Sequence, residues 1–423
     1  MKMVLFWILI IYNLFLSLVM TNNTIMSAHV IISILPLIAS LFWLVVMILD
    51  KDRGDRRSSL LTLFIYSSIV YLCHAFFFNH LYSLYAVVES LWVFTSLMVF
   101  PVFYIYIRTL TAEKELGWGW AWLSLPAALI AMVAGLLYIL MTPEETEAFV
   151  RGVLYKQPGY ETDSLLVQLQ RMRTVVVQIV FLIQVLATLY FGLHLIKEYN
   201  RKLQEHYADT NGKSLKPIKV ILILFVIVSL MSSVANLMGK SYFIENPHLL
   251  VIPSVIFSII LTVMGYFTHK QRYGIDELIS EPDNQRQISV NENRDAPDIV
   301  AGFQHIEIPV NDSLSNQIKY LLNKAEIYKY KELRIHDLSL LLNTNRTYLS
   351  QVIKEDFGTN FSDLINSYRA KYAAKLLEAD ASKKSLSMDD IASLSGFSSK
   401  SSFFRVFKAN MGVTPGRYKA KVD

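Results

Sequence analysis

The chain is 423 residues long, 53 % hydrophobic and 18 % charged, with a formal net charge of +5. Its apolar residues are gathered into long runs in the first two thirds, where a soluble globular protein would scatter them, and this argues for an integral membrane protein rather than a soluble one. The lone cysteine, Cys73, excludes an intrachain disulfide and reads as a small buried hydrophobe inside an apolar run.

The overall charge hides an asymmetry. Residues 313–423 carry 18 Lys and Arg against 11 Asp and Glu, a net of +7, whereas residues 1–312 carry 22 against 24, a net of −2. A basic C-terminal segment suits a nucleic-acid partner, although any basic soluble domain could show the same excess.

In chain order, Met3–Met20 is an apolar run preceded by one charge, Lys2. It reads as a retained span rather than a cleaved leader, because no small-x-small cleavage site follows it. Further apolar runs, each long enough for a helix to cross a bilayer, cover about residues 26–49, 59–81, 84–108, 120–141, 174–196, 220–239 and 248–268. The expectation is a transmembrane helical domain over residues 1–270, with eight spans, or seven if the first run is removed. Basic residues after the second span (Lys51, Arg53, Arg56, Arg57), between the sixth and seventh (Lys197 to Lys219) and after the last (Lys270, Arg272) fall on one side of that threading. This places the C-terminus in the cytoplasm and the protein in the inner membrane. Two polar groups inside the runs, Glu89 and His74, are candidates for an intramembrane ligand or proton site, or for a structural polar contact between helices. No HExxH, paired-carboxylate or serine-nucleophile pattern accompanies them, so no catalytic residue, metal or cofactor is expected. No paired intramembrane charge is expected either, which weighs against a transporter.

Residues 271–312 reverse the composition. From Arg272 to Asp312 nine acidic residues face three basic ones, among frequent Pro, Asn and Gln, as in a flexible solvated linker.

Residues 313–423 contain two related units. The first reads DLSLLLNTNRTYLSQVIKEDFG (Asp337–Gly358) and the second DIASLSGFSSKSSFFRVFKANMG (Asp390–Gly412). Leu349 matches Phe403, Ile353 matches Phe407 and Gly358 matches Gly412, each pair 54 residues apart. Ahead of the turn the offset falls to 53 (Ser339 to Ala392, Asn343 to Gly396), so the second turn is one residue longer. A shared pattern of core and turn positions predicts two copies of one supersecondary unit, a short helix, a tight turn and a second helix with a polar face. Asn345 and Ser399 are placed as N-caps of those second helices, Ser387 with Asp390 as a capping box, and Gly358 and Gly412 as helix ends. A packing helix near Leu314–Leu322 precedes the units, and a long helix over about Ser362–Ala379 joins them. The predicted fold is therefore all-α: a multi-span helical domain followed by a helical module with two helix-turn-helix units.

The segments NRTYLSQVIKEDFGTNFSDLINSYR (Asn345–Arg369) and IASLSGFSSKSSFFRVFKANMGVTPGRYK (Ile391–Lys419) resemble the AraC/XylS family of bacterial transcription regulators. The resemblance covers about a quarter of the chain, Ser313 to Lys421, and implies a DNA-binding domain whose two recognition helices enter successive major-groove faces. By position it implies base-facing roles for Arg346, Thr347, Ser350 and Gln351 in the first unit, and for Lys400, Ser401, Ser402 and Arg405 in the second. The chain departs from the family where Arg334 replaces a capping Ser or Thr, Ser339 a packing Ala and Asn343 a turn Gly, so a less stable first unit is expected. It also has a multi-span segment in place of a soluble ligand-binding domain, as in a membrane-anchored subgroup that it resembles.

The reading is a membrane-anchored, one-component transcription regulator rather than an enzyme. Its implied partners are double-stranded DNA, the lipid bilayer, an unidentified ligand or signal and, as an open option, a second copy of the chain. The alternatives are a transporter or enzyme-like membrane protein with a regulatory tail, and a helical module that docks protein rather than DNA.

Overall fold

The computed structural model describes residues 28–49, 55–78, 85–111, 118–246, 249, 251–270, 308–309, 312–380 and 386–422. The first apolar run, the basic residues 51–53 and the linker up to residue 307 lie outside the described residues. Among the described residues the structure is all-α, with short 3-10 and π turns, no strand, and an isolated antiparallel bridge between Tyr207 and Arg334.

The chain separates into two compact units: Met1–Ile196 with Leu215–Gly274, and Lys197–Ser214 with Ile275–Asp423. The second unit thus includes the connection between two apolar helices, a division that the sequence does not announce.

Among the described residues the first unit contains seven apolar helices: α1 (Ala28–Leu49), α2 (Asp55–Phe78), α3 (Tyr85–Thr111), α4 (Leu125–Leu140), the apolar part of α5 (Leu165–His206), α6 (Lys216–Met238) and α7 (Val251–Lys270). Each coincides with one of the apolar runs above. Among the described residues four helical stretches are long and apolar enough to cross a membrane: Tyr85–Thr111, Ala121–Leu140, Leu165–His206 and Lys216–Met238. Ile34–Leu49, Ser58–His74 and Val251–Phe267 are shorter apolar stretches. Of the four long ones α3 is the most enclosed, with Leu97, Phe103 and Ile107 fully buried. Phe100 and Phe225 stack there with ring centroids 4.9 Å apart, and the edge-to-face contact of Phe103 with Phe225 closes the cluster.

Helix α5 is longer than its apolar run predicts. Its 42 residues span about 63 Å at 1.5 Å per residue, roughly twice a hydrocarbon core of about 30 Å. The charges that end the apolar run do not end the helix, because Arg201 bridges Glu198 (2.5 Å) and Glu205 (3.0 Å) along one face.

The second unit holds α8 (Leu314–Asn323), α9 (Ile335–Leu341), α10 (Arg346–Phe357), α11 (Phe361–Asp380), α12 (Met388–Leu394), α13 (Lys400–Met411) and α14 (Pro415–Val422). Two apolar clusters form its core. Leu321, Ile335, Leu338, Leu349, Ile353 and Ile365 centre the first, and Ala373, Leu377, Ile391, Phe397, Phe403 and Phe407 the second. Helix α11 supplies residues to both and so joins the two helix-turn-helix halves.

Candidate nucleic-acid interface

The two halves build their second helices by the same local chemistry. In the first, Asn345 Oδ1 accepts the backbone N–H of Tyr348 (2.7 Å) and caps α10. In the second, Ser399 Oγ accepts the N–H of Ser402 (3.2 Å) and caps α13. Both helices end on a left-handed glycine, Gly358 and Gly412. The short helix α12 opens with a full capping box, Asp390 N–H to Ser387 Oγ (3.1 Å) and Ser387 N–H to Asp390 Oδ2 (2.9 Å). The hydrogen bonds from Ser387 hold the Asp390 carboxyl below its usual range.

The predicted departures of the first half are visible. Arg334 has no acceptor to offer at the cap of α9, so only the return bond remains, from Arg334 N–H to Asp337 Oδ2 (2.8 Å). Ser339 is buried but satisfied, its hydroxyl donating to His336 O (2.7 Å). Asn343 adopts the left-handed turn at φ 46°, where its counterpart Gly396 has φ 83°. A Cβ on Gly396 would lie 2.5 Å from Tyr328 O and 2.8 Å from Lys329 O, so only glycine fits the second turn.

A buried arginine accounts for that crowding. Arg369 on α11 is fully buried and donates to Tyr328 O (2.7 Å) and Tyr330 O (2.5 Å). Its guanidinium also lies 5.9 Å from the Phe397 ring. It therefore pins the segment that leads into the first half against the turn of the second. Burial pulls its pKa down to about 10, which leaves it charged at neutral pH. The sequence marks Arg369 only as the end of a family segment and does not reveal this role.

Of the eight residues placed at the interface by resemblance, Thr347, Gln351, Lys400, Ser401 and Arg405 are exposed, and Arg346 and Ser350 are half-buried. Gln351 Nε2 donates to Glu355 Oε1 (2.8 Å) and Lys400 pairs with Asp389 (2.8 Å), contacts weak enough at a surface to exchange for others. Ser402 differs. It is 3 % exposed, and its hydroxyl donates to Asp209 Oδ1 (3.3 Å), a residue 193 positions away.

The intramembrane candidates lie in the first unit. Glu89 pairs with Arg173 at 2.8 Å, the two side chains being 2 % and 5 % exposed. Arg173 also donates to Gln170 Oε1 (3.0 Å). This corrects the expectation that the apolar helices hold no paired charge: Arg173 lies in α5, about two turns inside its start at Leu165, and meets Glu89 of α3. His74 sits among aromatic rings, 6.0 Å from Tyr71 and 6.1 Å from Trp92 between centroids.

A family model described as a helix-turn-helix domain matches residues 338–421. An uncharacterized HTH-type transcriptional regulator of Bacillus subtilis, YtdP, is 35 % identical over 89 residues, covering 21 % of this chain and 11 % of that protein. The porin thermoregulatory protein EnvY of Escherichia coli is 35 % identical over 98 residues, 23 % of this chain and 36 % of its own length. The C-terminal segment is an AraC-type helix-turn-helix domain. An uncharacterized HTH-type regulator of Staphylococcus aureus is 29 % identical over 110 residues, 26 % of this chain and 14 % of that protein. A solved structure of a Listeria innocua protein of unknown function is 27 % identical and covers 26 % of this chain and 98 % of its own, with a TM-score of 0.23. The chain thus spans well under two thirds of these curated relatives.

Proposed function

We propose that the protein is a membrane-anchored, sequence-specific transcription regulator. Its apolar helices would hold it in the inner membrane and receive a signal, and its cytoplasmic AraC-type domain would read double-stranded DNA. The observation that carries the reading is the pair of capped helices, α10 and α13, in one segment of net charge +7 that bears exposed Gln351, Lys400 and Arg405. An arginine fork can donate to guanine O6 and N7, and a glutamine amide can pair with adenine N6 and N7. Lys400, Ser401 and Thr347 supply donors suited to phosphate or base. The four membrane-length helices and the polar extension of α5 support anchoring. The buried Glu89–Arg173 pair is the proposed polar centre of the anchored segment, where a stimulus could act.

The test is genome-wide mapping of sites bound by the intact protein in cells, alongside a variant carrying both Gln351→Ala and Arg405→Ala. The reading expects discrete sites that the double variant no longer occupies. Undiminished occupancy by the variant would instead favour a protein-docking module. A reporter that responds normally when residues 1–270 are replaced by an unrelated anchor would remove the signalling role of the membrane segment.

A further inference from the structure

The connection between α5 and α6 is built into the AraC-type unit. Ala208 is fully buried in the core of the first half. Its N–H donates to Leu333 O (3.1 Å), beside the antiparallel bridge of Tyr207 with Arg334. Its carbonyl accepts from Ser362 Oγ (2.9 Å) and Asn366 Nδ2 (3.0 Å) on α11. Lys213 folds back over the Tyr207 ring at 3.8 Å and pairs with Glu332 at 3.6 Å, its pKa lowered by burial. This is a docked strap, with backbone and side-chain bonds to one half of the reader.

The strap then reaches the other half. Asp209 accepts hydrogen bonds from the hydroxyls of Ser398 and Ser402, and Asn211 N–H steadies the carboxylate (2.9 Å). Asn211 Nδ2 donates to Ser399 Oγ, the cap of α13, at 3.0 Å. An anion is thus seated at the N-terminal turn of the second recognition helix, where backbone donors and the helix dipole suit a phosphate. The corresponding turn of α10 is capped by its own Asn345.

We propose, on the reading of α13 as a DNA-reading helix, that Tyr207–Lys213 is an autoinhibitory strap whose Asp209 carboxylate stands in for a DNA phosphate at the second recognition helix. Docked, it leaves the first half open and the second occupied, so both halves engage DNA together only after the strap lifts. The control reaches it through α5, one continuous helix from the apolar segment to His206, rather than through the acidic linker. A signal that favours a different position of α5 shifts the balance by its differential affinity for the docked and released states.

The test uses the full chain in lipid nanodiscs and duplexes selected from a randomised pool. Asp209→Ala combined with Asn211→Ala removes three of the strap's side-chain contacts with α13 and its turn. Operator affinity is expected to rise by about tenfold or more, the scale of one charge-assisted hydrogen bond. A reversible lock provides the complementary arm. Tyr207→Cys with Arg334→Cys places two thiols at a cross-strand bridge position, where antiparallel geometry suits a disulfide. The oxidised protein is expected to bind about tenfold or more weakly than the same protein reduced. Unchanged or weaker binding by the double alanine variant, or equal binding by the oxidised and reduced forms, would overturn the strap. A pool from which neither the wild type nor the double alanine variant selects any sequence would instead overturn the DNA-binding reading on which the strap rests.

Discussion

The two halves of the AraC-type domain use one plan under different constraints. The second half is tightly determined: a full capping box at Ser387, a glycine at the turn that no other residue can replace, and three phenylalanines, Phe397, Phe403 and Phe407, in its core. The first half relaxes each rule, with Arg334 at a cap it cannot serve and Asn343 in a left-handed turn. Yet in the structure the second half is the one whose reading helix is held by the strap. Local regularity and functional readiness are therefore separate properties. On the proposal above, the more ideal half is the one under control.

The largest way to break this contrast is to remove the pin between the halves. Arg369→Ala leaves the carbonyls of Tyr328 and Tyr330 without their donor and is expected to cost roughly 3–4 kcal/mol. Hydrogen exchange on the full chain should then show loss of protection in α9 to α14 while the apolar helices keep theirs. Gly396→Ala should have a similar effect confined at first to the second half, because it meets backbone rather than a movable side chain. Equal protection in variant and wild type would refute the role given to either residue.

Next in size are the residues proposed to read DNA. Gln351→Ala and Arg405→Ala should each weaken operator binding by about 1–3 kcal/mol, measured by titration of labelled duplex, and each should relax preference at its own base pairs only. Smaller again is the cap of the open helix. Asn345→Ala should destabilise α10 by about 1 kcal/mol, seen as faster exchange of its first-turn amides. The smallest change sharpens the comparison from the other side. Asn343→Gly relieves a left-handed asparagine and should stabilise the first half by about 0.5–1 kcal/mol. A loss of stability there would mean that the asparagine side chain contributes more than its backbone strain costs.

Much of the fold was legible because it is local. The seven apolar runs among the described residues became helices at nearly the expected places, and the caps at Asn345, Ser387 and Ser399 lie within three residues of the groups they satisfy. The repeat located both turns. Long-range pairing was not legible. Arg173, just outside the apolar run 174–196, drew no reading of its own because its partner Glu89 is 84 residues away. Lys213 and its neighbours read as basic loop residues marking orientation, and Asp209 and Asn211 drew no reading at all. Only the fold reveals that these two lie against Ser398, Ser399 and Ser402. The assignment of Ser402 to the interface rested on its position in the helix, and nothing in the sequence signalled that Asp209 covers it.

The central claim is that α10 and α13 read DNA as a pair. Footprinting of the full-length protein on a selected operator tests it most directly, with Gln351→Ala and Arg405→Ala compared on the same duplex. The account predicts two protected sub-sites about one helical turn apart, roughly 10 base pairs, with Gln351→Ala weakening protection at one and Arg405→Ala at the other. A single protected site, or protection that neither substitution alters, would contradict it.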